Sequence, residues 1–321
     1  MKKAFFLILA VLLVLSGCNL INPVKKPSDI ETVAEISPSA IKNCGTTNIP
    51  TSESEILGVF SGINPESDKV ILDLGSLGQS FAEKKLSAAK ILNATKSLSL
   101  SFQQQIDKIE QDFNNFPTTK KMDETISLSG ENIGTYFVLT TGEATFSLNA
   151  VTTDANPINM NNPSNLNSIA GEGTLKIAID PTAALSNLHE DDSAIKDFKL
   201  KLNAGGSASI RTKAGAGGTG RIPDKITLDY AESMAIAFSA RVNTGALNPM
   251  GGKFSLKIDS KYSGTIDYST IQSAANPEDV LNTLTPSITI TVKVYDDSGN
   301  VKFSKTYKSI EDFTTAFNPA A

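Results

Sequence analysis

The sequence predicts an α+β domain: a large antiparallel sheet, curved or closed toward a barrel, with one prominent helical segment and a few short helices. Three observations predict it. Apolar and polar residues alternate in run after run from Ala144 to Val294, the period-2 signature of strands with one buried and one wet face. One stretch ahead of these runs changes the period to 3.6. The composition, 40% hydrophobic and 20% charged over 321 residues, is that of a globular chain, long enough for one large core or two smaller ones.

The N-terminus carries Lys2 and Lys3, runs apolar from Ala4 to Leu15 and closes on Leu15-Ser16-Gly17-Cys18. A positive start, an apolar run and small residues before a cut make a secretory signal. The run is shorter than the roughly 20 residues that span a bilayer. The tetrapeptide resembles the lipobox of bacterial lipoproteins. That resemblance implies a signal peptide over 1–17, cleavage between Gly17 and Cys18, a diacylglycerol on the Cys18 thiol and acylation, as by palmitate, of the new amine. Each buried methylene contributes about 0.8 kcal/mol, so two or three chains anchor durably where one does not. Asn19, where an aspartate would retain such a protein at the inner membrane, favours the outer membrane, facing the periplasm or the surface.

Residues 18–53 then read as a lipidated N-terminus and flexible tether, because Pro23, Pro27, Pro38 and Pro50 stand among Ser, Thr, Lys and Asn. Lipid consumes Cys18, which leaves Cys44 as an isolated thiol in that segment or a redox or dimerisation handle. A single domain is expected over 54–321. Val70-Ile71-Leu72-Asp73-Leu74 is its candidate first strand, and Ser80 with Glu83 forms a capping box opening a helical segment over 80–116. Leu98, Phe102, Ile106, Ile109, Phe113 and Phe116 form one helical stripe, the reverse face carries Gln103, Gln104, Asp107, Lys108, Gln111 and Asp112, and Pro117 supplies the stop.

Beyond it the strand runs are Ala144–Ala150, Leu175–Ile179, Phe198–Leu202, Met234–Val242, Phe254–Ile258 and Ile288–Val294. Val294 to Val301 reads as a hairpin around Gly299, and Asn156 to Ser168 as a long loop. Asp180-Pro181 and Asn276-Pro277 read as capped helix starts, and Ser309 with Asp312 opens a final helix. Phe198-Lys-Leu-Lys-Leu202-Asn203 recurs as Phe254-Ser-Leu-Lys-Ile258-Asp259, and Ser207–Ile210 recurs as Ser263–Ile266 at the same offset.

The chemistry-bearing inventory is thin. His189 is the single histidine, and His189-Glu190-Asp191-Asp192 are contiguous, so their side chains diverge instead of converging on a metal. Gly215 to Gly220 matches a dinucleotide-binding glycine pattern, but a strand-like run follows where the phosphate site needs a helix. Asp296, Asp297 and Asn300 lack the spacing of a calcium loop. A formal charge of −5 argues against a nucleic-acid partner. The expected function is a lipid-anchored, non-catalytic envelope module that binds or scaffolds another envelope protein or a host molecule. The alternative is a carrier of lipid or another apolar ligand between sheet and helix, and third stands a carboxylate-dependent glycan hydrolase. No cofactor, metal or catalytic residue is implied, and Cys18 is the one site residue. Cys18→Ser is expected to abolish lipidation and leave the precursor uncut, whereas an unmodified Cys18 in the wild-type mature protein, read by mass spectrometry, would remove the basis for the anchor.

Overall fold

The computed structural model describes residues 30–63, 100–133, 135–159, 164–186, 193–215, 220–243, 249–273 and 284–317. The expectations for Cys18, Val70–Leu74, Ser80 with Glu83, the start of the helical segment, His189 to Asp192 and Asn276-Pro277 lie outside them. The described strands are β1 (Lys121–Leu128), β2 (Glu131–Ile133), β3 (Phe137–Thr152), β4 (Leu166–Pro181), β5 (Ala194–Ala214), β6 (Arg221–Val242), β7 (Met250–Asp267), β8 (Thr285–Tyr295) and β9 (Val301–Tyr307). All pair antiparallel in one nine-stranded sheet, in the order β1-β3-β4-β5-β6-β7-β8-β9 with β2 also on β3. Two edges remain, so the sheet is open rather than closed into a barrel. The described helices are α1 (Glu53–Ser61), α2 (Leu100–Thr119), α3 (Ala183–Ser186), α4 (Tyr268–Ser273) and α5 (Ile310–Phe317).

The alternation sorts residues onto two faces. On β6, Met234, Ile236, Phe238 and Ala240 point to what we term the first face, and Ser233, Ala235, Ala237 and Ser239 to the second. The sequence echo has a structural meaning. Phe198 and Phe254 both pair with Phe238, Leu200 and Leu256 with Ile236, and Ile210 and Ile266 with Ile226. The recurring residues therefore flank the same β6 positions on either side, and their match is a matched register.

Two apolar clusters occupy opposite ends of the first face. In one, Ile56 and Val59 of α1 and Leu185 of α3 pack with Phe137, Phe198, Phe254 and Val294, with Phe317 of α5 alongside. In the other, Phe116 of α2 packs with Met122, Leu148, Ile169 and Ile210, with Ile109 and Phe113 alongside. The described part of the expected helical stripe therefore covers the sheet. Its polar side faces solvent, and from it Lys108 Nζ bonds Asp112 at 2.9 Å and reaches Glu124 Oε1 on β1 at 2.7 Å. Pro117 does not stop the helix, which runs on to Thr119. A proline in the last turn forfeits a single N–H, and the end is set by Lys120 at φ 60°, whose N–H bonds Phe116 O at 2.7 Å.

Other local readings divide. Ser309 Oγ caps α5 by accepting from Asp312 N at 3.0 Å. The expected hairpin forms, with Gly299 at φ 87° and its N–H on Asp296 O at 2.9 Å. Asp180 and Pro181 instead end β4, and Thr182 Oγ1 accepts from Ala184 N to start α3. The loop expected to reach Ser168 ends sooner, because β4 begins at Leu166.

The largest correction concerns the tether. From Ile30 onward the chain is a strap docked across the second face. Val33, Ile36 and Ile41 are buried against Ala235 and Ala237, and Val33 N donates to Ser233 Oγ at 2.9 Å. Glu35 is held by Lys293 at 2.5 Å and by the Tyr295 hydroxyl. Lys253, 4% exposed, donates to Pro38 O at 3.0 Å. Lys42 N donates to Asp197 Oδ2 at 2.9 Å, and Cys44 N and Gly45 N to the Asp297 carboxylate at 3.0 and 2.9 Å. Asn48 then bridges Met250 in parallel. The close approach there needs glycine, since a Cβ on Gly251 would lie 2.2 Å from Ala240 O and 3.0 Å from Thr46 Cγ2 of the strap. Of the prolines that suggested a linker, the two among the described residues are ordered features: Pro38 opens a short 3-10 turn and Pro50 is fully buried.

Cys44 is accordingly a buried thiol, pushed up to about 12 by burial and by the neighbouring Asp297 carboxylate. At pH 8 the thiolate fraction is then about one in ten thousand, so native protein should resist iodoacetamide at Cys44. Asp297→Ala should make it reactive, read by peptide mass. Burial alone would raise the Glu35 carboxyl, but hydrogen bonds from Lys293, Tyr295 and Ser255 and the Lys293 charge hold it below 4.5. A lowered carboxyl stabilises docking above its unfolded value and loses that contribution as pH falls through the folded one. Amide exchange at Val33 and Lys42, corrected for intrinsic rates, should rise below about pH 4.5, and Glu35→Gln should flatten that dependence. Separately, Phe116→Ala should cost about 3–5 kcal/mol in chemical denaturation, since Phe116 is 1% exposed.

Candidate functional site

Between its two apolar clusters the first face carries a belt of different character. β4 and β5 supply small residues: Gly173 pairs with Gly206 and Gly171 with Ala208, and Ala204 follows on β5 opposite the larger Leu175. Gly171, Gly173, Ala204 and Gly206 are all buried. Glycine weakens a strand interior and marks places where something must approach the backbone closely, so a run of such positions on adjacent strands forms a low floor beside the taller side chains of β6 and β7.

Those neighbours are polar. Tyr230 and Glu232 of β6 stand across from Gly206 and Ala204, and on their other side from Tyr262 and Ser260 of β7. The Tyr230 hydroxyl donates to Glu232 Oε2 at 2.7 Å. The two tyrosine rings are 6.4 Å apart at 35°. Ser260 is 6% exposed, and its hydroxyl has no hydrogen-bond partner among the described residues. A buried polar atom without a partner is costly, and this one sits directly across the ladder from a carboxylate.

Burial and a neighbouring charge set the state of the two phenols. Burial, then the Glu232 charge and its hydrogen bond, push the Tyr230 phenol far above its ordinary value, and burial and Glu232 also raise Tyr262. Both phenols stay protonated at physiological pH. The ladder neighbours of Glu232 are Ala204 and Ser260, whereas glycoside hydrolysis needs a second carboxylate across the bond to be cut.

The positions weighed from the sequence lie elsewhere. Gly215 N donates to Gly220 O at 2.8 Å in the turn between β5 and β6, so strands flank the glycine pattern on both sides. Asp296 accepts from Asn300 N at 2.8 Å and pairs with Lys302, while Asp297 is taken by the strap. The pair is divided between two tasks and does not converge. Among the described residues no group of three or more His, Cys, Asp or Glu side chains is placed to hold a metal. Sequence reading missed Tyr230, Glu232, Ser260 and Tyr262, although one signal was present. Ile226, Leu228 and Tyr230 are in phase with Met234, Ile236 and Phe238, and Glu232 is the charged residue that interrupts this apolar register. Comparison with protein-family models, with curated proteins and with solved structures finds no match for this chain.

Proposed function

We propose that the chain is a lipid-anchored protein of the bacterial envelope, held at the outer membrane through Cys18, that binds an apolar ligand on the first face of its sheet. The observation that carries the reading is the belt: a buried floor of Gly171, Gly173, Ala204 and Gly206 between two apolar clusters, with a few polar groups gathered at one side. Ligand sites combine these ingredients, apolar walls for affinity and a few convergent polar atoms for orientation. Among the described residues no helix is long and apolar enough to cross a membrane, so the proposed attachment rests on the lipidated cysteine.

A docking role toward another envelope protein is the second reading. The observation favouring it is β9, an edge strand paired to β8 with Val301 53% exposed, since an unpaired edge can accept another strand.

The ligand reading predicts that protein taken from its native envelope releases an apolar molecule at near one per chain on solvent extraction. The chain from Asn19 onward should take up a neutral hydrophobic fluorophore at one saturable site. Ala204→Phe should abolish that uptake while circular dichroism keeps its strand signature. Ala240→Phe, at a fully buried position in the packed cluster beside α1, should instead cost about 1–3 kcal/mol by overpacking and leave uptake unchanged. An empty extract together with non-saturable uptake would overturn the proposal.

A further inference from the structure

Among the remaining features, the buried thiol of Cys44, itself in the strap, is engaged by Asp297, and nothing at the β9 edge specifies what would pair with that edge. The polar group within the belt carries more, because its atoms are unequal in kind. Glu232 offers only acceptors, and the Tyr230 hydroxyl bonds one of its oxygens. Across the ladder the Ser260 hydroxyl is buried without a partner. The adjacent row supplies the faces of Tyr230 and Tyr262, a ring pair whose quadrupoles attract a cation. A carboxylate, a spare hydroxyl and two aromatic faces together seek a positively charged donor. They would repel an anion and gain little from a neutral chain end.

We infer that the belt recognises the head of an ammonium-bearing amphiphile, with its alkyl part along the apolar first face and its cationic nitrogen at Glu232, Ser260, Tyr230 and Tyr262. This rests on the ligand-binding reading above. The geometry favours a compact ammonium over a guanidinium, because the Tyr230 hydroxyl already takes one Glu232 oxygen and leaves the carboxylate without the open parallel pair that a planar fork requires. A lipid with an ammonium head and a single-chain amine share this chemistry, and phosphorus in the extracted ligand separates the two sources.

The test is displacement of a neutral hydrophobic fluorophore from the chain from Asn19 onward by three twelve-carbon amphiphiles below their aggregation limits: dodecylammonium, dodecanol and dodecanoate. The cation should displace the probe at a concentration about tenfold below that of the other two. Glu232→Gln keeps the shape and an acceptor for Tyr230, and should remove most of that preference while leaving the dodecanol curve in place. Tyr262→Leu, which keeps apolar bulk but removes a ring face, should weaken the cation selectively. Equal displacement by all three amphiphiles, or a cation preference untouched by Glu232→Gln and Tyr262→Leu, would overturn the head-group assignment and leave the ligand-binding reading standing. Failure of the fluorophore itself to bind at a saturable site would remove both.

Discussion

The register of β6 against β5 and β7 is the constraint on which the rest depends. Because both ladders hold one offset through the middle of the sheet, each central β6 residue stands between a fixed β5 residue and a fixed β7 residue. Phe198, Phe238 and Phe254 thereby line up at the α1 end, and Ile210, Ile226 and Ile266 at the α2 end. Ala204, Glu232 and Ser260 meet in between. A slip of one residue would send each of these side chains to the opposite face, exposing the aromatic row and placing Ala235 and Ala237 where α1 packs. The irregularities in β5, between Ile195 and Asp197 and between Arg211 and Thr212, fall near the ends of the strand, away from the belt.

The second face solves another problem. Ala235, Ala237 and Ser239 are small and buried, which lets the strap approach the sheet closely but offers little apolar area to hold it. Hydrogen bonds and ion pairs supply much of what fixes it, with Asp197, Lys253 and Ser233 nearly inaccessible and each engaged with strap backbone. Buried charges contribute less to net stability than their geometry suggests. They do discriminate: Asp297 is satisfied by two consecutive amides of the strap, and a shifted strap would cost it both and take from Lys253 its bond to Pro38 O.

The fold was legible where periodicity was strong. Residues such as Ile236 and Val292 lie on long two-residue repeats that no helix accommodates, so strands and open sheet follow directly, and Phe113 and Phe116 mark a helical face. The strap was not legible, because Val33, Ile36 and Ile41 share no period and the partners that order the segment lie far along the chain, Asp297 among them. Pro117 misled because a missing donor matters less in the last turn than in a helix interior. At the candidate site, an in-phase charge such as Glu232 reads from sequence as the end of one apolar run and the start of another. Its partner Ser260 is an ordinary strand serine until the register places it beside the carboxylate.

If Cys18 carries the proposed lipid, the docked strap also sets a leash. Were residues 18–53 all free, as their composition suggests, a domain anchored at Cys18 could wander more than about 100 Å from its lipid, at up to about 3.5 Å per extended residue. With Ile30 laid against Gly205 on the second face, only about a dozen residues remain between anchor and sheet, roughly 40 Å at full stretch. Under the proposed anchor, a domain so held would stay in a thin layer next to the bilayer surface. Any ligand bound as proposed would then come from that layer, and acid that loosens Glu35 would lengthen the leash as well as free the strap.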